Sequence, residues 1–237
     1  MSGLVAAHQP NFLPWLGYFD KLARADVFVV LDDVQFPRTG RGTWTNRTQV
    51  LVNGKGHWLT VPVRRDFNGS RAISAMEIDE SQGWRDKRIK TIRMAYGRAP
   101  GFEEVWETLE PLLMNSVSNL AEYNLSLIYG IGSRLGIDTS KIVLGSELRP
   151  VGHSTDMLIE IVKKVGGDEY LAGGGAAGYQ EDAKFAGSNV RVQYQRFVQL
   201  PYRQHGSAAF VPGLSILDVL MNRGISGTRS SLEELSS

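Results

Sequence analysis

The feature that most constrains the fold is a strand, a loop, a helix and a second strand that follow one another within the first 31 residues. Residues 4–7 and 27–31 are short apolar runs, as expected of strands buried on both faces. Two prolines prevent a regular helix in the loop, whereas apolar residues recur at helical spacing over 15–25. Such a unit usually belongs to a parallel sheet whose ligand-binding loops follow the carboxyl ends of the strands. This places His8 at that edge.

Alternating strand and helix patterns at both ends of the chain, around a helical middle, predict an α/β fold with a mainly parallel, Rossmann-like sheet. The turn Asn53-Gly54 predicts a small inserted β-hairpin. Further strands are predicted at 141–148, 169–172 and 190–198, and helices at 84–96, 120–135, 157–165 and 215–222. We expect one domain over 1–225, with 37–110 as a possible inserted subdomain, and a loose tail over 226–237.

Composition excludes several classes of function. The 26 Lys and Arg nearly balance the 25 Asp and Glu, so a nucleic-acid partner is not expected. The absence of Cys excludes disulfides and thiolate chemistry, and the four scattered His do not indicate a metal centre. The chain shows neither a signal-peptide pattern nor an apolar run long enough to span a membrane. These features predict a cytoplasmic protein that acts on a small molecule.

The loop after the first strand contains the candidate catalytic residues. Its sequence, HQPNFLPWLGYF, resembles the first loop of nucleotidyltransferases and adenylate-forming ligases, where a His and a helix N-terminus stabilise charge on phosphates. His8 takes the position of the first His of that motif, and the second His is missing. Lys21, one turn into the helix, is the candidate for stabilising phosphate in its place. The alternative is a structural His8 that hydrogen-bonds to backbone. Candidate substrate-binding residues nearby are Gln9, Asn11, Trp15 and Tyr18.

A second group of polar residues follows the second strand. Asp32 and Asp33 have the chemistry to hold Mg²⁺ or to hydrogen-bond a ribose or a substrate amine, and Gln35 follows on the same edge. Adjacent acidic residues before a proline are also common in turns. Both interpretations remain open.

Trp44, Asn46 and Arg47 form a third group. An Arg beside an amide suits a carboxylate or a phosphate, and an indole covers a ring or a sugar face. The alternative is a surface loop whose Trp packs on the core.

A glycine-rich turn follows a predicted strand near the carboxyl terminus. Backbone N–H groups in such a turn approach an anion closely, so Gly173, Gly174, Gly175 and Tyr179 are candidates for binding a nucleotide cofactor. The turn lacks the Lys-Ser or Lys-Thr of a P-loop. The basic residues of the predicted helix at 84–96 indicate either a solvated face or a weak case for RNA.

Five segments in the same order resemble the WbqC-like family: HQPNFLPWLGYFDKLARADVFVVLDDVQF, WTNRTQV, HWLTVPV, YLAGGGAAGY and FVPGLSILDVLMNRG. The resemblance covers nearly the whole chain, with Ala172 where the family has Ser. Genes of this family occur mostly in clusters for surface polysaccharides and natural products. The resemblance therefore implies a biosynthetic role.

Together these observations predict a ligase or transferase that uses ATP, with Mg²⁺, to activate a carboxylate as an acyl-adenylate. The acyl or aminoacyl group would pass to a small amine or amino sugar. The alternatives are a non-catalytic nucleotide- or sugar-binding module and, with less support, an RNA-binding protein.

Overall fold

The computed structural model of the protein describes residues 3–37, 43–174 and 181–236. The strands of the described chain are β1 (Leu4–His8), β2 (Val27–Val30), β3 (Arg47–Val52), β4 (Lys55–Thr60), β5 (Ile142–Leu144), β6 (Glu169–Ala172) and β7 (Arg191–Tyr194). Five of them form one sheet in the order β5-β2-β1-β6-β7, and all neighbours in it are parallel. The predicted α/β fold with a parallel sheet is thereby confirmed.

The helices pack around this sheet and extend the protein beyond it. They are α1 (Leu16–Arg24), α2 (Trp84–Tyr96), α3 (Phe102–Leu113), α4 (Leu120–Arg134), α5 (Gly145–Leu148), α6 (Ser154–Lys164), α7 (Asp182–Gly187) and α8 (Ile216–Ser236). In the described ranges, none of the helices has the length and apolar character needed to span a lipid bilayer.

Successive residues of each central strand belong in turn to two hydrophobic cores, one on each face of the sheet. Ala6 of β1 and Phe28 of β2 belong to the core that also contains most of α1. Val5 and Val29, their chain neighbours, belong to the core that contains the apolar side of α6. Because adjacent residues of a strand point to opposite faces, the apolar runs in the sequence bury both faces of the sheet.

The order of the strands creates a crevice beside β1. The chain first adds β2 and β5 on one side of β1 and then crosses to the other side to add β6 and β7. Loops that leave the carboxyl ends of β1 and β6 therefore diverge, and ligands of open α/β sheets bind at such a switch point.

The predicted β-hairpin is confirmed as a separate two-stranded sheet formed by β3 and β4. Asn53 and Gly54 at its turn both have positive φ, 50° and 73°, which is the backbone conformation that favours this residue pair. The hairpin joins the main core, since the hydroxyl of Tyr96 on α2 accepts a hydrogen bond from the Leu51 N–H.

Three sequence-based expectations are corrected. The strand predicted over 190–198 ends at Tyr194. The strand predicted over 141–148 ends at Leu144, and the chain continues as α5. The loose tail predicted from residue 226 is instead the second half of α8, which bends at Gly224. Hydroxyls of this segment donate to helix carbonyls four residues earlier, as Thr228 does to Gly224 O at 2.7 Å. Buried Ile225 and Leu232 then fix the helix to the core.

Candidate functional site

A cleft of about 700 Å³ lies at the carboxyl ends of β1 and β6, at the switch point of the sheet. This volume is typical of small-molecule sites. The predicted residues that the structure brings together in its wall are His8, Gln9, Trp15, Tyr18, Lys21, Gly173 and Gly174.

Lys21 places a positive charge in the wall of this cleft. Its side chain is 3% exposed, and its Nζ donates to the backbone oxygen of Ala7 at 3.0 Å. Within the described ranges no carboxylate pairs with it, and the other close contact is the ring of Tyr170, 5.7 Å from Nζ. Burial lowers the pKa of Lys21 to about 8, so the amine still carries a proton at neutral pH. A buried cation without a counter-ion favours an anionic ligand.

Two helices begin at the cleft, one from each face of the sheet. The first turn of α1 contributes Gly17 and Tyr18 to the wall, and the first turn of α6 contributes Ser154 and Thr155. Neither helix has a side-chain hydrogen bond at its N-cap. Uncapped N–H groups and the helix dipoles add to the charge of Lys21, because all three favour negative charge in the same space.

His8 at the end of β1 is neutral and oriented. Burial, and after it the charge of Lys21, lowers its pKa to about 3. Its Nδ1 lies 3.2 Å from the backbone oxygen of Gln9, which only accepts hydrogen bonds, so Nδ1 carries the proton and donates. The other ring nitrogen, Nε2, is therefore a hydrogen-bond acceptor. Edge contacts with Trp15 and Tyr18, at 5.4 and 4.9 Å between ring centroids, hold the imidazole in place.

The geometry bears on the role predicted for His8. The resemblance to nucleotidyltransferases predicts that His8 donates to a phosphate; this stays a prediction, and the neutral imidazole does not favour it. The groups placed to donate to an anion are Lys21 and the N-termini of α1 and α6.

Gln195 is the main cleft residue that sequence reasoning missed. It follows β7 directly, and its Nε2 donates to Gly17 O at 2.7 Å and to the carboxyl group of Asp20 at 2.6 Å. These bonds tie the start of α1 to the far side of the sheet. A Cβ at Gly17 would lie 2.7 Å from the indole nitrogen of Trp15 and 2.9 Å from the ring of Phe197, so the close packing there requires glycine. No sequence signal marks Gln195, because the strand predicted over 190–198 runs past it, whereas β7 ends at Tyr194.

The acidic pair after β2 does not line the cleft. Asp32 accepts a hydrogen bond from Ser146 N–H at 2.9 Å and so caps the start of α5. Burial raises the pKa of Asp33, whose Oδ1 would lie 2.8 Å from a Cβ at Gly145. Gln35 is exposed and forms a backbone bridge with Ala72. Asp33 Oδ1 is buried and has no hydrogen-bond partner among the described residues. The predicted contacts of these residues with Mg²⁺, a ribose or a substrate amine stay predictions, and no group of three or more His, Cys, Asp or Glu across the described ranges is arranged to hold a metal ion.

The third predicted group is split by the structure. Asn46 is buried, and its Nδ2 donates to Val61 O at 3.0 Å, whereas the guanidinium of Arg47 lies 4.0 Å from the ring of Trp58. Trp44 stays exposed beside Trp15. Asn11 is buried in the loop between β1 and α1 and does not line the cleft. Gly175 and Tyr179 lie outside the described residues.

The basic helix α2 has its arginines engaged within the protein. Arg85 pairs with Glu80, Arg88 donates to Thr60 O, and Arg93 pairs with Glu110 at 2.9 Å. Such pairing favours the interpretation of this face as a solvated structural surface over RNA binding.

Comparisons with known proteins place this architecture in a family. The model of the WbqC-like protein family matches residues 9–230. The uncharacterized protein Rv1507c of Mycobacterium tuberculosis is 30% identical over 223 residues, which cover 93% of this chain and 94% of that protein. No solved structure matches the chain.

Proposed function

The chain belongs to the WbqC-like protein family, and we propose that it is an ATP-dependent enzyme that activates a carboxylic acid and transfers the acyl or aminoacyl group to an amine. The product would be an amide on a small amine or amino sugar in glycan or natural-product biosynthesis. The observation that carries this proposal is the ammonium of Lys21 at the switch point, which pairs with no carboxylate of the described residues and lines the same cleft as the N-termini of α1 and α6.

The first step places negative charge where the cleft is positive. A carboxylate oxygen of the acid attacks the α-phosphorus of ATP, the bond from that phosphorus to the bridging oxygen breaks, and pyrophosphate leaves. Lys21 and the two helix N-termini stabilise the charge that develops on the leaving group. Mg²⁺ fits this proposal as an ion carried by the phosphates of ATP, because the described residues offer no set of carboxylates to hold it.

The second step releases a proton that His8 is oriented to accept. The amine attacks the acyl carbon, the bond from that carbon to the phosphate oxygen of AMP breaks, and AMP leaves. The amine proton passes to Nε2 of His8, the ring nitrogen that the Gln9 hydrogen bond leaves free. Departure of the anionic product then restores the neutral imidazole through solvent.

The test is exchange of labelled pyrophosphate into ATP in the presence of a panel of amino acids and short hydroxy acids. We expect exchange that depends on one class of acid and that falls about a hundredfold or more in Lys21→Met. Lys141→Met is the matched control, because Lys141 also donates to a backbone carbonyl, Ala23 O at 2.9 Å, but does not line the cleft. Wild-type exchange in this control supports the proposal, and equal losses in both variants contradict it.

A non-catalytic nucleotide- or sugar-binding module is the second candidate. The low pKa of His8 favours it, because such an imidazole is a weak base until a bound anion offsets the charge of Lys21. In that case ATP would raise the Tm, and no acid would support exchange.

A further inference from the structure

A row of indole rings leads from the cleft to the β-hairpin. Trp15 lines the cleft, Trp44 lies 6.1 Å from it between ring centroids, and Trp58 of β4 lies 5.2 Å from Trp44. Trp44 is 43% exposed, an unusual exposure for so large an apolar side chain. The row therefore offers an open ring surface directly beside the candidate active site.

The guanidinium of Arg47 lies at the end of this row without an acidic partner. It stacks on Trp58 at 4.0 Å, and neither an ion pair nor a hydrogen bond of its side chain to another described residue is present, with Nε buried and unsatisfied. Arg93 provides the contrast, because it stacks on Trp106 at 4.7 Å and also pairs with Glu110 at 2.9 Å. The charge of the stacked guanidinium is thus balanced by a carboxylate at Arg93, whereas at Arg47 no described carboxylate balances it.

The backbone holds Trp44 in a fixed position relative to the cleft. Trp44 O accepts a hydrogen bond from Phe12 N–H at 3.0 Å. The amide of Asn124, fully buried on α4, donates both to Pro10 O in the cleft loop and to Thr45 O. A ring surface fixed in this way loses little conformational entropy when a ligand binds.

We propose that Trp44, Trp58 and Arg47 form a subsite for a ring compound that carries a carboxylate or a phosphate. The indole of Trp44 covers one face of the ring, and the Arg47 fork binds the anionic group in a bidentate manner. This inference rests on the proposed function for its role, in which the ring compound is the amine-bearing acceptor. The anion bound at Lys21 is a different one, because two indoles separate Arg47 from the cleft residue Trp15.

Binding is tested by calorimetry on the full chain without ATP, so that the result does not depend on catalysis. The probes are glucuronate, glucose 1-phosphate and benzoate, with glucose as a neutral ring and acetate as an anion without a ring. The variants are Trp44→Ala and Arg47→Met. Arg93→Met is the matched control, since it removes an arginine that stacks on an indole away from the cleft.

We expect at least one anionic ring probe to bind more tightly than glucose and acetate. Arg47→Met should weaken that binding at least tenfold, Trp44→Ala should weaken it severalfold, and Arg93→Met should leave it unchanged. Binding of none of the three anionic rings, or equal losses in Arg47→Met and Arg93→Met, overturns the subsite. If the protein catalyses no pyrophosphate exchange, the proposed function fails but this binding result still stands. The two proposals therefore fail separately.

Discussion

Two buried polar clusters of the described structure differ in how completely their hydrogen bonds are satisfied. Asp218 of α8 is fully buried, and its carboxyl group accepts hydrogen bonds from Tyr96 OH at 3.0 Å, Tyr202 OH at 2.6 Å and Gln204 Nε2 at 2.7 Å. Lys21 of α1 is almost as deeply buried, but its ammonium makes one hydrogen bond in the described structure, to Ala7 O.

The difference separates a structural cluster from a binding cluster. Three hydrogen bonds inside the protein offset part of the desolvation that raises the pKa of Asp218, and this carboxyl group does not line the cleft. The ammonium of Lys21 has two N–H groups left and faces a cleft. An anion that binds there would offset part of the free-energy cost of burying this charge.

The largest expected effect is on stability, in Asp218→Ala. Removal of the carboxyl group breaks three hydrogen bonds, including the one donated by the fully buried hydroxyl of Tyr96, which should lower the free energy of unfolding by about 4 kcal/mol in urea titrations. Asp32→Ala is the matched control, because Asp32 is also buried but accepts one hydrogen bond at a helix start, worth about 1 kcal/mol. Similar losses in the two variants would contradict the prediction that the hydrogen bonds of Asp218 contribute more to stability than the hydrogen bond of Asp32.

Lys21 should reveal its uncompensated charge through pH. Its pKa of about 8 in the folded protein lies below the 10.5 of an unburied lysine, so the unfolded chain binds more protons between these values. Stability therefore rises between pH 8 and 10.5, by up to about 3 kcal/mol, and the penalty is constant below pH 8. Lys21→Met should lack this rise in urea unfolding at pH 7 and pH 10. The same pH dependence in both proteins would mean that folding does not lower the pKa of Lys21, as expected if a partner compensated its charge.

His8→Ala should slow amide formation while leaving pyrophosphate exchange largely unchanged. The reason is that Nε2 accepts the amine proton in the second step and does not stabilise the leaving pyrophosphate in the first. The expected loss is about a hundredfold in single-turnover acyl transfer. A hundredfold loss of exchange at an unchanged Tm would instead restore His8 to the role of phosphate donor.

The smallest expected effect is on the pKa of His8 itself. Lys21 is the second cause of its lowering after burial, so Lys21→Met should raise the pKa only part of the way back to that of an exposed imidazole. NMR of the imidazole signals during acidification should show His8 beginning to titrate at higher pH in the variant. An unchanged titration would mean that the Lys21 charge does not reach the imidazole.

Local patterns predicted those parts of the protein that depend on neighbours along the chain. The apolar runs of β1 and β2 and the Asn53-Gly54 turn are such cases, because burial and turn geometry act within a few residues. The roles of Asp32 and Asn46 were not predictable, since their partners Ser146 and Val61 are remote in sequence. Asn46 and Arg47 are adjacent and polar, yet one is buried by its partner and the other stacks on an indole.

The cleft loop between β1 and α1 depends on contacts with the end of the chain. Ser215 Oγ donates to Leu13 O across 202 positions, and Gln195 reaches Gly17 across 178. Closing such long loops costs chain entropy before any contact compensates it, and contacts of this range form slowly. We therefore expect the site to be assembled late in folding, and a chain that stops before Gln195 would contain His8 and Lys21 without the contacts that fix the cleft loop.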